Sequence, residues 1–249
     1  MYYFRNFPRT AYVFGDNEVI GGKQVTYAIT QDFTRYSDVI DQIKDNVSFY
    51  RKYTIQENDR PDQTSQKLYG TPEYHWTFAM INDHIRARGW PLTLNQLEEV
   101  VKRDFPHFTV TTKGNLKGIL LVGQTASGSV SGARGTVLRR YLDLGQFVVN
   151  SSTSFQVGET IRNVAATADA SGSVVATAVS KEYLAAHHYE DGDGNWVDID
   201  YRIGPGAQLT EISHYDRYVQ KNNELKDIRV IRPELISEVS SAFFQAIRS

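Results

Sequence analysis

Three stretches of the chain hold residue types that could do chemistry. Asp191-x-Asp193-x-Asn195 repeats the first three ligand positions of a calcium loop, where alternating carboxylate and amide oxygens suit a hard cation. The pattern then fails. Trp196 stands where glycine makes the sharp turn, and Arg202 where a bidentate glutamate closes the shell. An Asp- and Gly-rich turn is therefore expected, and calorimetry showing no heat at millimolar calcium would close the question. His187-His188-Tyr189-Glu190 lacks the zincin spacing, which sets two histidines one helical turn apart with glutamate between them. The Gly-Asp-Gly that follows points to a hairpin, and the six histidines show no metal-ligand spacing elsewhere. Gly21-Gly22-Lys23-Gln24 is no phosphate loop, because the upstream glycine is out of register and Gln24 replaces the hydroxyl that would hold magnesium.

No nucleophile stands out either. The chain has no cysteine, so thiolate catalysis, disulfides and Cys-type zinc sites fall away together, as fits synthesis in a reducing cytoplasm. There is no Gly-x-Ser-x-Gly elbow. Glu98-Glu99 falls on a predicted exposed helix. Two distant carboxylates can meet in a fold as a lysozyme-type pair, but nothing singles out such a pair. The expectation is a protein without catalytic residues, cofactor or metal.

The elements that would position any site come from pattern. With 249 residues and a formal charge of -2, the chain can form one large domain or two to three small ones. No Lys/Arg block offers a nucleic-acid surface. No stretch approaches the roughly 20 apolar residues of a membrane span, and the start lacks a signal-like apolar run, so a soluble, unexported protein is expected. Fifteen tyrosines and twelve phenylalanines against two methionines suit interfaces, where a rigid apolar ring carries a polar tip. They suit an ordinary core equally well.

Residues 1–30 read as two short strands or an extended arm around Gly15-Asp16-Asn17 and Gly21-Gly22. From residue 32 to 48, Phe33, Tyr36, Ile40, Ile43 and Val47 recur at helical spacing. Phe49–Gln56 alternates like a strand. Pro61 then opens a helix that ends at Tyr69-Gly70, and Thr71-Pro72 starts a second as cap and first residue. Tyr74, Phe78 and Ile81 share one side of that helix, with Trp76 and Met80 on an adjacent stripe; Asn82-Asp83 and Gly89 break it. Trp90-Pro91-Leu92 reads as a short second strand, which would complete a strand–helix–helix–strand unit within about 45 residues. A short helix over Asn95–Val101 follows.

Composition shifts near Lys113. Residues 115–180 are rich in Gly, Ser, Thr, Val and Ala, with frequent turn signals, and predict a small all-β sandwich or barrel. Within it Val122-Gly123-Gln124-Thr125 is echoed by Val157-Gly158-Glu159-Thr160. Each copy precedes a Ser-Gly turn and a valine-bearing strand. A hairpin over His187–Ile199, a helix over Thr210–Asp227, a strand at Ile228–Ile231 and a last helix opened by Pro233 complete the reading.

Tyr53-Thr54-Ile55-Gln56, Leu68-Tyr69-Gly70-Thr71-Pro72 and Trp76-x-x-x-Met80-x-Asn82-Asp83 resemble a LysM module. They are more closely similar to the LysM-like baseplate wedge proteins of contractile-tailed (T-even-type) bacteriophages. Tyr215-x-x-Tyr218-x-x-x-Asn222-Asn223-Glu224-Leu225-Lys226-x-Ile228-x-Val230-Ile231 is similar to the end of the same family's proteins. Residues 115–180 look like an insertion relative to that family. Gln63, Thr64 and Gln66 also depart from it, by making the first LysM-like helix unusually polar.

The resemblance implies an α+β protein in four parts. These are an N-terminal arm and helix (1–48), a LysM-like βααβ domain (49–112), an inserted small all-β module (113–182), and a hairpin with C-terminal helices (183–249). It implies a structural subunit of the virion tail baseplate, assembled in the host cytoplasm and present in several copies in a sixfold ring. Its partners would be other wedge proteins, including a sheath-initiator-like protein and wedge helical-bundle proteins, and neither nucleic acid nor membrane. Tyr50, Tyr53, Trp76, Tyr215 and Tyr218 are the candidate interface anchors, each competing with a plain core role. Two other readings stay open. LysM modules commonly bind N-acetylglucosamine polymers, although wall binders usually carry export signals, linkers and repeated modules. A tail-associated cell-wall hydrolase is the other.

Overall fold

A computed structural model describes residues 7–19, 22–32, 38–164 and 172–248. The sequence features at Met1–Asn6, Gly21, Phe33, Tyr36 and Ser171 lie outside the described residues. Helix and sheet are mixed. In chain order, β1 (Arg9–Val19) and β2 (Gly22–Gln31) precede α1 (Asp38–Asp45), β3 (Tyr50–Thr54) and α2 (Pro61–Tyr69). Next come α3 (Trp76–Ile81), α4 (Asp83–Arg88) and α5 (Leu94–Asp104). Strands β4 (Phe108–Thr111), β5 (Thr125–Gly128), β6 (Arg134–Tyr141), β7 (Gln146–Ser151), β8 (Thr160–Asn163), β9 (Ser173–Val175) and β10 (Ala178–Lys181) follow. The remainder is β11 (Ala186–Glu190), β12 (Trp196–Val197), β13 (Thr210–Ser213), α6 (His214–Glu224), β14 (Asp227–Ile231) and α7 (Ile236–Arg248). None of these helices is long and apolar enough to cross a membrane.

The chain forms two units, one of residues 1–91 with 223–249 and one of residues 92–222. In the first, local chemistry sets the helix ends. Pro61 occupies the first turn of α2, where its missing N–H costs nothing. Gly70 ends that helix in the left-handed conformation (φ 74°) and donates its N–H to the Gln66 carbonyl. Thr71 caps the next turn through the Glu73 N–H. The polar character of α2 has a structural outlet, since Thr64 and Ser65 are its buried residues and the Ser65 hydroxyl donates to the Thr71 carbonyl at 2.7 Å.

The expected strand at Trp90–Leu92 is absent. The strand that pairs with β3 is β14, antiparallel, with Tyr50 opposite Ile231 and Thr54 opposite Asp227. The reason is burial. Ile228 and Val230 are at most 2% exposed and close one apolar cluster with Ile55, Phe78, Ile85 and Leu225. Trp90 instead packs at the border of that cluster and donates its indole N–H to the Asp59 carbonyl, a side-chain role that needs no strand. The last helix, expected from Pro233, begins at Ile236. It buries Ile236 and Val239 beside Ile43, Ile81 and Ile231, and Phe243 and Ile247 beside Phe7, Ile40 and Trp76.

Asn82 ties β14 to the helices. Its amide donates to the carbonyls of Phe78 (2.9 Å) and Arg229 (2.8 Å), and its oxygen accepts from the Arg229 N–H (2.8 Å). The side chain is only 3% exposed, so water cannot replace what a substitution removes. Asn82→Ala is expected to destabilise this unit by about 2–3 kcal/mol, measurable as a shift in urea midpoint at unchanged slope.

In the second unit β10-β4-β7-β6-β5-β8-β9 form one antiparallel sheet. Its core contains Val110, Leu116, Leu120, Val137, Phe147 and Ile161, each worth roughly 1.5–3 kcal/mol of burial. Gly135 is required by close packing, since a Cβ there would meet the Asn150 carbonyl oxygen at 2.3 Å. The sequence echo is a repeated turn. Gly123 (φ 89°) and Gly158 (φ 88°) supply the left-handed position, and the Gln124 and Glu159 side chains each accept the N–H three residues back. Both turns then dock alike: Gly123 N–H and Gln124 C=O bracket Val137, and Gly158 N–H and Glu159 C=O bracket Ala176. Glu159 also accepts from the Val130 and Ser131 N–H groups and the Ser131 hydroxyl. Burial alone would raise its carboxyl, but these donors together hold it below the usual carboxylate range.

The expected hairpin is present as β11 and β12. Thr210–Ser213, expected at the head of a helix, is instead strand β13 on the other side of β11. The helix starts at His214, where Asp216 accepts from the Ser213 N–H and hydroxyl. Asn222 joins the two ends of this unit, accepting from the Leu92 N–H (2.8 Å) and donating to the Leu92 carbonyl (2.9 Å).

Candidate functional site

Strands β1 and β2 pair with each other from Arg9↔Gln31 to Val19↔Gly22, with a register shift between Val13 and Asp16. No other described strand joins them. Ala11 faces Ile29, and Tyr12 faces Ala28, so the two pairs lie on opposite faces of the ribbon. Tyr12 is 57% and Ile29 69% exposed. A two-stranded ribbon is at best marginally stable by itself, and among the described residues its outer edges pair with no other strand, which leaves them a template for one.

The five candidate anchors fall in both units. In the first, Tyr50 packs under the Arg229 guanidinium, 4.9 Å from its ring centre. Tyr53, half-buried, packs against the Ile55–Phe78 cluster and helps line a cleft of about 510 Å³ with Lys44, Asp83 and Asp227. Of the charged groups there, Lys44 pairs with Asp83 at 2.8 Å, and Asp227 accepts from the Thr54 hydroxyl; Lys52 and Arg229 line it too. Trp76 is buried, stacked on Phe243 with centroids 5.0 Å apart. In the second, Tyr215 and Tyr218 are half-buried on α6. The Tyr218 hydroxyl donates to Asp104 at 3.3 Å, and its ring meets Phe105 edge-on. Burial, then the Asp104 charge, pushes the Tyr218 phenol up.

The sequence did not signal a histidine–aromatic cluster in the second unit. His214 stacks on Phe105 with centroids 4.4 Å apart and meets the edge of His187 at 5.2 Å. His187 and His188 approach through their Nδ1 atoms at 2.8 Å, His188 Nε2 contacts Glu190 at 2.9 Å, and the His188 ring stacks on Trp196. His214 is alone in its stretch of sequence, which is why spacing could not reveal the cluster. Burial, then His187 and Arg139, lowers the His214 pKa to about 4, and burial lowers that of His187. Both imidazoles are thus held neutral in the fold. A depressed folded pKa means that the unfolded chain binds the extra proton first. This contribution to stability is therefore complete above about pH 6.5 and is lost as pH falls toward about 4. After discounting for solvent screening, a loss on the order of 2 kcal/mol is expected over that window. His214→Phe should flatten it, as read from thermal midpoints at each pH.

Among the described residues no group of three or more His, Cys, Asp and Glu is arranged to hold a metal ion. The Asp191 carboxylate is engaged within its own turn, accepting from the Asp193 and Asn195 N–H groups at 2.9 Å each. The Asn195 donors, then Asp193 and Gly194, hold it below the usual carboxylate range.

No curated protein matches the chain. Residues 12–96 match the family model described as Base plate wedge protein 53, a stretch that runs from within β1 into α5 and so takes in the free ribbon, β3 and the capped helices. What these residues resemble, by motif and by family match alike, is a phage baseplate wedge protein.

Proposed function

We propose that this chain is a structural subunit of the baseplate wedge of a contractile phage tail. In this reading it binds neighbouring wedge proteins, a sheath-initiator-like protein and helical-bundle proteins among them, and helps close a sixfold ring in the host cytoplasm. The observation that carries the reading is the β1–β2 ribbon, which no other described strand joins and which exposes Tyr12 on one face and Ile29 on the other, most of it inside the stretch that matches a wedge family. Such a ribbon gains most by adding a strand or sheet edge from another chain. Strand β3 is followed by helices α2, α3 and α4, and it pairs with β14. We propose that they are a LysM-like scaffold whose second strand is supplied from beyond residues 92–222, with the ribbon as the arm.

Co-expression with the neighbouring tail proteins tests this. The full chain should co-purify with wedge partners. A chain lacking residues 9–31 should melt within a few degrees of the full chain yet lose at least tenfold in complex yield. Absence of any complex with wedge proteins, or strong retention on purified peptidoglycan instead, would count against an assembly role.

A further inference from the structure

We infer that a cleft in the second unit receives an acidic peptide segment of a partner protein, carrying an apolar or aromatic side chain beside its carboxylates. The cleft has a volume of about 330 Å³ and is walled by Phe105, Tyr141, Leu144 and His214, while α6 contributes Arg217 and Lys221. Rings and a leucine favour an apolar side chain, and the volume is at the small end of ligand clefts, enough for a few side chains and not for a folded domain. Among the described residues no carboxylate lines it.

The two cations decide the charge of the occupant. Arg217 and Lys221 lie one helical turn apart and so face the same side of α6. Among the described residues neither takes part in an ion pair. Arg217 donates only to the Gln220 side chain, at 3.3 Å, and lies 5.8 Å from the Trp196 ring centre. Lys221 lies 5.8 Å from the Tyr218 ring centre. The neighbouring Asp104 is already engaged by Tyr218 and Arg103. His187 and His214, held neutral, add ring surface without charge near pH 7. Nucleic acid fits less well, since two cations in a chain of net charge -2 make no phosphate track. The cleft lies beyond residues 12–96, so this inference does not rest on the wedge reading.

The test is selection of a displayed random dodecapeptide library on the full chain. Enriched sequences should carry Asp or Glu next to Phe, Tyr, Trp or Leu. The best of them, as a synthetic peptide, should shift the amide resonances of Phe105, Tyr141 and residues 214–221. Its affinity should fall at least tenfold for the R217E/K221E double variant and for the same peptide with Gln and Asn in place of Glu and Asp. Lys221 is exposed, so K221E alone keeps the fold and should lose at least threefold if the double variant proves unstable. Enrichment of neutral or basic peptides, no enrichment at all, binding indifferent to these substitutions, or displacement of the peptide by decathymidylate would each overturn the inference.

Discussion

A chain that stops at Asn222 should fail to fold its first unit, although it keeps every residue from Phe49 to Leu92. The truncation removes β14 and α7, and with them the buried Leu225, Ile228, Val230, Ile231, Ile236, Val239, Phe243 and Ile247. Each apolar cluster found among the described residues of that unit loses members. At roughly 1.5–3 kcal/mol for each large side chain, the eight together are worth about 12–24 kcal/mol, which matches or exceeds the roughly 5–15 kcal/mol total stability of an ordinary domain. Amide spectra of the truncated chain should show collapsed dispersion for residues 50–91 and retained dispersion for the β module. Conversely, joining residues 1–91 to 223–249 through a short Gly-Ser linker should give a folded protein. A well-dispersed spectrum for residues 50–91 in the truncated chain would refute the pairing of β3 with β14.

Replacing Arg139 with methionine should cost about 3–5 kcal/mol, more than replacing the carboxylate that it meets. Glu182 is fully buried, whereas about two-fifths of the Arg139 side chain reaches solvent. The carboxylate accepts from the Arg139 guanidinium and, at 3.3 Å, from the His107 N–H. Without Arg139 a buried negative charge keeps one long hydrogen bond and no cation. Without the charge, as in Glu182→Gln, the guanidinium can turn to water, and a loss of about 1–2 kcal/mol is expected. The R139M/E182Q pair should therefore be more stable than R139M alone. Denaturation of all four proteins closes the double-mutant cycle; equal single-mutant losses and a double loss equal to their sum would show that the two side chains act independently.

These contacts show how the chain accommodates residues 92–222 inside the sequence of its first unit. Asn222 bonds both backbone groups of Leu92, so the insert leaves close to where it enters. Asn82 performs the related task for α3 and β14. Each uses one amide, with a donor and an acceptor side by side, to match the paired N–H and C=O of a passing strand or loop. Asn82 lies within the residues 12–96 that match the wedge family model, and Asn222 lies beyond them.

The sequence by itself determined the local elements. Pro61 and Gly70 bound α2, and Thr71-Pro72, read as the start of the second helix, opens one short turn before α3 begins at Trp76, because caps and glycine conformations depend on a few neighbouring residues. The alternation at Phe49–Gln56 and at Ile228–Ile231 marked two strands, and the apolar stripe after Pro233 marked the last helix, since periodicity records which face is buried. The repeated Val-Gly-Gln/Glu-Thr phrase likewise announced a repeated turn. Only the tertiary structure decided that those two strands pair with each other, that Thr210–Ser213 extends a sheet, and that His214 stacks on Phe105. Residues far apart in the chain meet because their apolar faces fit and their backbone groups must be satisfied together, and no short window of sequence contains both sides of such a match.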